Sequence, residues 1–205
     1  MKTISKKETN EIKIKKSRFI CHLFPVRDIS EVKEKILAIS TEYKDATHNC
    51  TAYIVNGMEG SNDDGEPGGT AGKPMLNVLR KNDLENILAI VTRYFGGIKL
   101  GSGGLVRAYS KSVQDTIAVS EMVDLKIYSV YEISFDYNNL KSAESIIRNN
   151  GFNVVEKKYD EKITYKIAIL KNKDKTSIID GLKSSDSNLF QLNFLKDEYL
   201  NLDNE

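Results

Sequence analysis

The sequence predicts an α+β protein of two domains. Three features carry that prediction: strands and helices alternating up to about residue 124, a glycine-rich strand–loop–helix segment near the centre, and a change of texture near Lys126 into a β-α-β-β-α-β order. A chain of 205 residues exceeds the commonest domain size and is short for two large domains, so domains of 1–124 and 125–205 are expected.

In chain order, Ile12 and Ile14 alternate with lysines and Phe19 to Val26 is an apolar run, which reads as a hairpin or one long bent strand. Asp28 then starts a helix. With Glu31 three places on, a capping box is available, and Val32, Ile36 and Ile39 follow at helical spacing towards Tyr43. Asn49 to Val55 reads as a strand, Gly57 to Gly72 as a long glycine-rich acidic loop, and Pro74 to Arg80 as a short helix that tolerates Pro74 in its first turn. Asn86 to Tyr94 is a strongly apolar strand. The helix after Gly103 is expected to pack Val106, Tyr109, Val113 and Ile117, leaving Arg107, Lys111 and Gln114 as a polar stripe.

Beyond Lys126, Ile127 to Tyr137 reads as a strand, Asn139 to Asn149 as a helix, and Phe152 to Tyr159 and Ile163 to Leu170 as strands. A helix around Ile178 to Lys183 and a strand from Leu189 to Leu195 complete a ferredoxin-like pattern, with Gly151 placed for a left-handed helix C-cap.

Thirty basic and 29 acidic side chains give a net charge of +1. That balance supplies no global field for nucleic acid or an anionic membrane, so nucleic-acid binding requires a local basic patch, and no DNA sequence specificity is expected. The two cysteines, Cys21 and Cys50, a lysine-rich polar start and the lack of an apolar run of about 18 residues together predict a cytoplasmic protein that does not enter membranes. The oligomeric state is left open.

Two blocks carry chemistry. In the first, His48, Cys50, Asp63, Asp64 and Glu66 could form a metal or hydrolytic site, with His48 as base and the acids as ligands or proton donors. The spacing opposes a metal: a His-x-Cys pair lacks the usual zinc-knuckle gap, and one soft sulfur beside hard carboxylates suits no single ion. Neither metal nor cofactor is expected. The competing reading makes Cys50 a core residue, has His48 cap its strand and gives the acids to a tight turn. Cys21-His22 on the preceding apolar strand reads likewise as a buried thiol beside an edge histidine. Because loops longer than about 12–15 residues tend to be functional, the acidic loop is expected to lie against Arg93 or Arg107 and pair with one of them.

The second block runs from Arg93-Tyr94-Phe95-Gly96-Gly97 through Lys99, Gly101, Gly103 and Gly104 to Arg107 and Lys111. It lacks the Gly-Lys-Ser/Thr of a P-loop and the third glycine of a dinucleotide fingerprint. A glycine loop opening a helix can still hold a phosphate, a guanidinium can clamp one, and the aromatics can stack on unpaired bases. These residues are the binding candidates. The alternative pairs Arg93 with an acid and puts Tyr94 or Phe95 in the core.

Ala46-x-His48-Asn49-Cys50-x-Ala52-Tyr53, Asp63-Asp64-Gly65-Glu66-Pro67-x-Gly69-Thr70-Ala71-Gly72-x-Pro74 and Arg93-Tyr94-Phe95-Gly96-Gly97-x-x-Leu100-Gly101-x-Gly103-Gly104-Leu105-x-Arg107-Ala108-Tyr109 resemble the IMPACT family in its bacterial YigZ-like branch. The resemblance covers roughly residues 17–121. It implies an N-terminal α/β sandwich of the kind found in ribosomal proteins and domain IV of elongation factor G, and a ferredoxin-like second domain similar to that factor's domain V. It also implies a cytosolic protein of translation, binding RNA or a ribosomal surface. Eukaryotic relatives regulate translation through an additional RWD domain, for which 205 residues leave no room, so that interaction is not expected. Gly68 stands where the family pattern has serine, which removes any role for a hydroxyl there. A non-enzymatic translation protein is therefore the leading expectation, beside a hydrolase or phosphate-binding enzyme using the His48, Asp63, Asp64 and Glu66 cluster, and a protein-interaction module marked by an apolar patch on the C-terminal sheet.

Overall fold

The computed structural model describes residues 1–171 and 191–202, and the chain divides into two compact units, Met1–Leu125 and Lys126–Glu205. The first unit is built on a hairpin. Strands β2 (Glu8–Ile14) and β3 (Ser17–Pro25) pair antiparallel across a turn in which Lys15 and Lys16 take positive φ angles of 46° and 67°. Helix α1 (Ile29–Glu42) follows. Its Asp28 side chain accepts from the Glu31 amide as expected, but Glu31 returns its carboxylate to the Arg27 amide rather than to the cap residue.

Strand β4 (His48–Val55) turns directly into β5 (Met58–Asn62), so five residues expected in the long loop form a strand. Their sequence, Met-Glu-Gly-Ser-Asn, has no β propensity; the signal lay in Asn56-Gly57, both at positive φ, the combination that favours a two-residue hairpin turn. Helix α2 (Gly72–Lys81), strand β6 (Ile87–Tyr94) and helix α3 (Ser102–Val119) complete the layer structure. A small pair, β1 (Lys2–Ile4) with β7 (Met122–Asp124), ties the start of the chain to the end of this unit and was not legible in the sequence.

The five-stranded antiparallel sheet runs β2-β3-β6-β4-β5. Helices α2 and α3 cover one face, over a core of Phe19, Cys21, Leu23, Cys50, Met75, Leu79 and Val91. Helix α1 covers the other, over Phe24, Val32, Ile39, Val55, Leu88 and Ile90. Central strand β6 is therefore buried on both sides, which is why Ile87 to Val91 reads as a continuous apolar run instead of an alternating one. His22 is not at an edge: β3 lies between β2 and β6, and the imidazole is buried against Tyr43 with its ring centroid 5.0 Å away. On α3, Leu105, Ala108, Tyr109, Val113 and Ile117 face the core, whereas Val106 is exposed instead of packed.

The second unit comprises β8 (Lys126–Phe135), a 3-10 turn at Tyr137–Asn139, α4 (Leu140–Asn149), β9 (Asn153–Tyr159), β10 (Ile163–Leu170) and β11 (Gln191–Leu200). The sheet order β11-β8-β10-β9, antiparallel throughout, is the ferredoxin-like order. Gly151, at φ 61°, ends α4 as expected, and its amide bonds the Arg148 carbonyl. The helix expected around Ile178 to Lys183 lies outside the described residues.

One glycine fixes how the central loop meets the first hairpin. A Cβ on Gly96 would sit 2.0 Å from the Lys16 carbonyl carbon, and the Gly96 amide donates to Ser17 Oγ at 3.1 Å. Backbone presses on backbone, with no flexible side chain to yield. Gly96→Ala is expected to destabilise the first unit by about 3 kcal/mol, at the upper end of overpacking costs, measured by urea unfolding with amide exchange over residues 8–125; an unchanged midpoint would contradict this close approach.

Candidate functional site

Register decides which side chains meet. Across β3, β6 and β4, Phe19, Arg93 and His48 stand opposite one another, and Cys21, Val91 and Cys50 form a row two residues along. Alternation puts both rows on the face covered by α2 and α3. Tyr109 descends from α3 onto the first row, its ring edge-to-face with Phe19 at 5.3 Å.

Into this corner the acidic loop inserts Glu66. Its Oε1 accepts from Arg93 Nη1 at 2.5 Å and from the Tyr109 hydroxyl at 2.8 Å, and the Glu66 and Arg93 side chains are 3% and 6% exposed. The Arg93 guanidinium is further enclosed by the rings of Phe19 and Phe95, 5.4 and 5.5 Å away, while its Nε has no hydrogen-bond partner among the described residues. His48 directs Nδ1 at the Asp64 carbonyl, 2.7 Å away, so that nitrogen carries the proton, and Nε2 lies 3.8 Å from Glu66 Oε2, beyond hydrogen-bond reach. Cys50 Sγ lies 3.0 Å from the Asp63 carbonyl and 3.4 Å from the Tyr109 hydroxyl. Burial pushes the Cys50 thiol up to about 12 and raises the Tyr109 phenol well above its ordinary range, so both stay neutral at physiological pH.

The remaining acids are absorbed by backbone. Asp63 accepts from the amides of Gly69, Ala71 and Gly72 at 2.7, 3.0 and 2.8 Å, serving as a cap for α2, whose own cap residue Ala71 has no side chain to offer. Burial alone would raise the Asp63 carboxyl, but these three amides outweigh it and hold it below the usual carboxylate value. Asp64, at φ 44°, accepts from the Asn49 amide at 2.6 Å and turns the chain with Gly65. Among the described residues no group of three or more His, Cys, Asp or Glu side chains could hold a metal ion.

Arg93 is thus no open phosphate clamp: Glu66 occupies it inside the protein. Tyr94 and Phe95 are not in the core either. Tyr94 is half-buried, donates to Asp45 and lies under Arg18, while Phe95 is 46% exposed. Beyond them the loop surfaces, with Gly97, Gly101 and Gly103 exposed and Gly104 half-buried. Gly101, at φ 72°, precedes α3 with no side-chain cap, leaving first-turn amides without an intrahelical acceptor. Lys99 and Arg107 are exposed and make no ion pair among the described residues, and Arg107 Nη1 lies against Gly103; Lys111 pairs with Asp115 at 2.8 Å. Lys15 and Lys16 join this surface through the close approach of Gly96, which the sequence did not disclose because the two segments lie some eighty positions apart. On the C-terminal sheet the apolar patch expected of an interaction module is interrupted: the rows of Ser134 with Thr164, and of Glu132 with Lys166 and Glu156, are polar.

The profile of the Impact N-terminal domain matches residues 15–117, which contain every group of this corner. The chain belongs to the IMPACT family. The IMPACT family member YvyE of Bacillus subtilis (strain 168) is 45% identical over 166 residues, 80% of this chain and 76% of that protein. YigZ of Escherichia coli (strain K12), also an IMPACT family member, is 33% identical over 161 residues, 76% of this chain and 79% of that protein. A crystal structure described as that of an hypothetical protein superposes with a TM-score of 0.72 at 29% identity, covering 95% of this chain and 97% of that one.

Two outcomes follow from the corner. Glu66→Ala leaves a buried unpaired guanidinium and is expected to cost about 3–5 kcal/mol, whereas Glu66→Leu combined with Arg93→Met should recover most of that loss; additivity of the two substitutions in chemical denaturation would contradict the pairing. Asp63→Asn should cost about 2 kcal/mol at neutral pH, the scale of hydrogen bonds to a charged acceptor. Because the folded carboxyl is lowered, its contribution is present above the unfolded value and lost as pH falls through the folded one. The gap between Asp63→Asn and the parent should therefore close below about pH 4, as read from thermal midpoints across pH.

Proposed function

We propose that this IMPACT-family protein is a non-enzymatic, cytosolic protein of translation that binds RNA or a ribosomal surface. One observation carries the reading: the turn of Lys15 and Lys16 presses on Gly96, next to the exposed Phe95, in the loop that carries Ile98 and Lys99 to the uncapped start of α3, where Arg107 Nη1 lies against Gly103, and the four cations are exposed and without ion pairs among the described residues. In a chain of net charge +1 such a cluster is a local patch of the kind phosphate contacts require, and Phe95 offers a ring on which a base can stack. Family membership supports the assignment to translation.

An alternative is a hydrolase using His48, Asp63, Asp64 and Glu66. It has less support, because Asp63 and Asp64 are committed to backbone amides and Glu66 to Arg93 and Tyr109. No helix of the described residues is long and apolar enough to cross a membrane.

The test is salt-dependent binding of a fluorescent single-stranded RNA and co-sedimentation with ribosomes. Removing one cation that meets a phosphate should flatten the logarithmic salt slope by about 0.7. Lys99→Ala with Arg107→Ala is expected to weaken binding and flatten that slope by about twice this amount, with unchanged thermal stability, since neither side chain is buried or ion-paired among the described residues. Phe95→Ala should weaken RNA binding without changing the slope. Absence of retention at low salt would overturn the proposal.

A further inference from the structure

The second unit contains a groove that the RNA reading does not use. It is a cavity of about 450 Å³ between α4 and β9, floored by Ile147, Phe152, Val154 and Tyr165 and rimmed by Arg148 and Lys157. We infer that it binds an extended acidic peptide, added to the β9 edge as a further strand.

Three observations select that occupant. Among the described residues β9 pairs only with β10, so its outer rim presents backbone N–H and C=O groups along a strand of seven residues. Those groups match the backbone of another extended chain, and a helix running beside such an edge forms the second wall of a strand-addition groove. Strand β9 spans about 23 Å and α4 about 15 Å, enough to seat four or five peptide residues, with alternate side chains entering the apolar floor.

The second observation is charge. Arg148, in the last turn of α4, is exposed and has no carboxylate partner among the described residues; Lys157 shares Glu144, 3.5 Å away, with the Tyr165 hydroxyl, whose oxygen is 3.1 Å from Glu144 Oε1. Glu144 is the sole acid of the lining, against two cations. A carboxylate entering at Arg148 finds a free fork of donors, and a second can displace Glu144 from Lys157.

Third, the two aromatics of the groove are not available for stacking, Phe152 being only 8% exposed. Tyr165 is fully buried: Lys157 Nζ sits 4.8 Å from its ring centroid, and Phe135 and Tyr159 meet it edge-on at 5.2 and 6.3 Å. Sequence-tolerant RNA binding needs open ring faces. A peptide needs only the apolar edge of this floor and the rim of β9.

The experiment uses the full chain and a fluorescein-labelled octapeptide library with glutamate fixed at alternate positions and Val, Ile, Leu, Phe or Tyr between them. Saturable anisotropy binding is expected, with amide-exchange protection appearing in Asn153–Tyr159. Arg148→Glu, an exposed site whose fold is checked by circular dichroism, should weaken binding about tenfold or more, and Lys157→Glu should do so separately. Methylating alternate backbone amides of the peptides should abolish binding, which a merely electrostatic attraction would not show. Lack of saturation up to about 1 mM, binding indifferent to Arg148→Glu, or protection confined to the first unit would each overturn the inference. A uridine decamer that competes for the groove and no longer does so in the same variants would replace the peptide by RNA.

Discussion

The ion pair between Glu66 and Arg93 is the interaction on which the first unit's architecture depends. Arg93 sits near the end of the central strand, where a buried guanidinium in an apolar corner would be intolerable alone. Glu66 arrives from a loop that has no large hydrophobic residue to anchor it between Asn62 and Ala71. Each group therefore supplies what the other's segment lacks: the loop gains a fixed point inside the core, and the strand end gains neutrality. Tyr109 joins them from α3, so one carboxylate ties loop, sheet and helix together. Such pairs add little to net stability compared with an apolar isostere, but they penalise every arrangement in which one partner is missing. The corner therefore specifies where the loop goes more than it stabilises the fold.

With Glu66 seated, the rest of the loop falls into a determined path. Asp64 and Gly65 reverse the chain beside β4, and Asp63 reaches ahead to the amides that open α2. The helix start at Gly72 is held close for a further reason: a Cβ there would lie 2.9 Å from the Asn62 amide nitrogen, so only glycine permits α2 to begin against β5. An acidic, glycine-rich stretch that looks chemically active in one dimension is, in three, largely a device for capping a helix and closing a corner.

Much of this was legible. Apolar periodicity located most strands of both large sheets and, with capping and proline signals, the four helices of the described residues, because burial of one face leaves a direct imprint on residue order. Charge complementarity brought the acidic loop to Arg93 or Arg107, and the inward register of Arg93 decided between them. What escaped was set by tertiary packing rather than by pattern. Strand β5 is polar because it is an edge with little to bury, so only the Asn56-Gly57 turn betrays it. Val106 shares the spacing of the packed residues, yet the helix is rotated so that Leu105 and Ala108 take the inward positions. Tyr109 read as simple packing, since nothing in a sequence says that a hydroxyl will meet a carboxylate forty-three positions away. Nothing in the sequence connects Lys15 and Lys16 to the glycine loop; the close approach of Gly96 does.

The two arginines of the glycine-rich block show why residues of one motif need not share a task. Arg93 and Arg107 lie on consecutive elements, both beside glycines, and both suit phosphate in chemistry. The sheet register turns Arg93 inward to a dedicated acid, whereas the helical phase of α3 turns Arg107 out with no ion-pair partner among the described residues. Neutralising Arg93 therefore perturbs a core, and any binding that disappears with it disappears through folding. Neutralising Arg107 removes one surface charge and leaves the core as it was. The distinction is physical rather than positional: where a cation already has a buried carboxylate at hydrogen-bond distance, an incoming phosphate must compete with a preorganised partner that pays no entropy of association, and the free cations around Phe95 are the ones left to answer it.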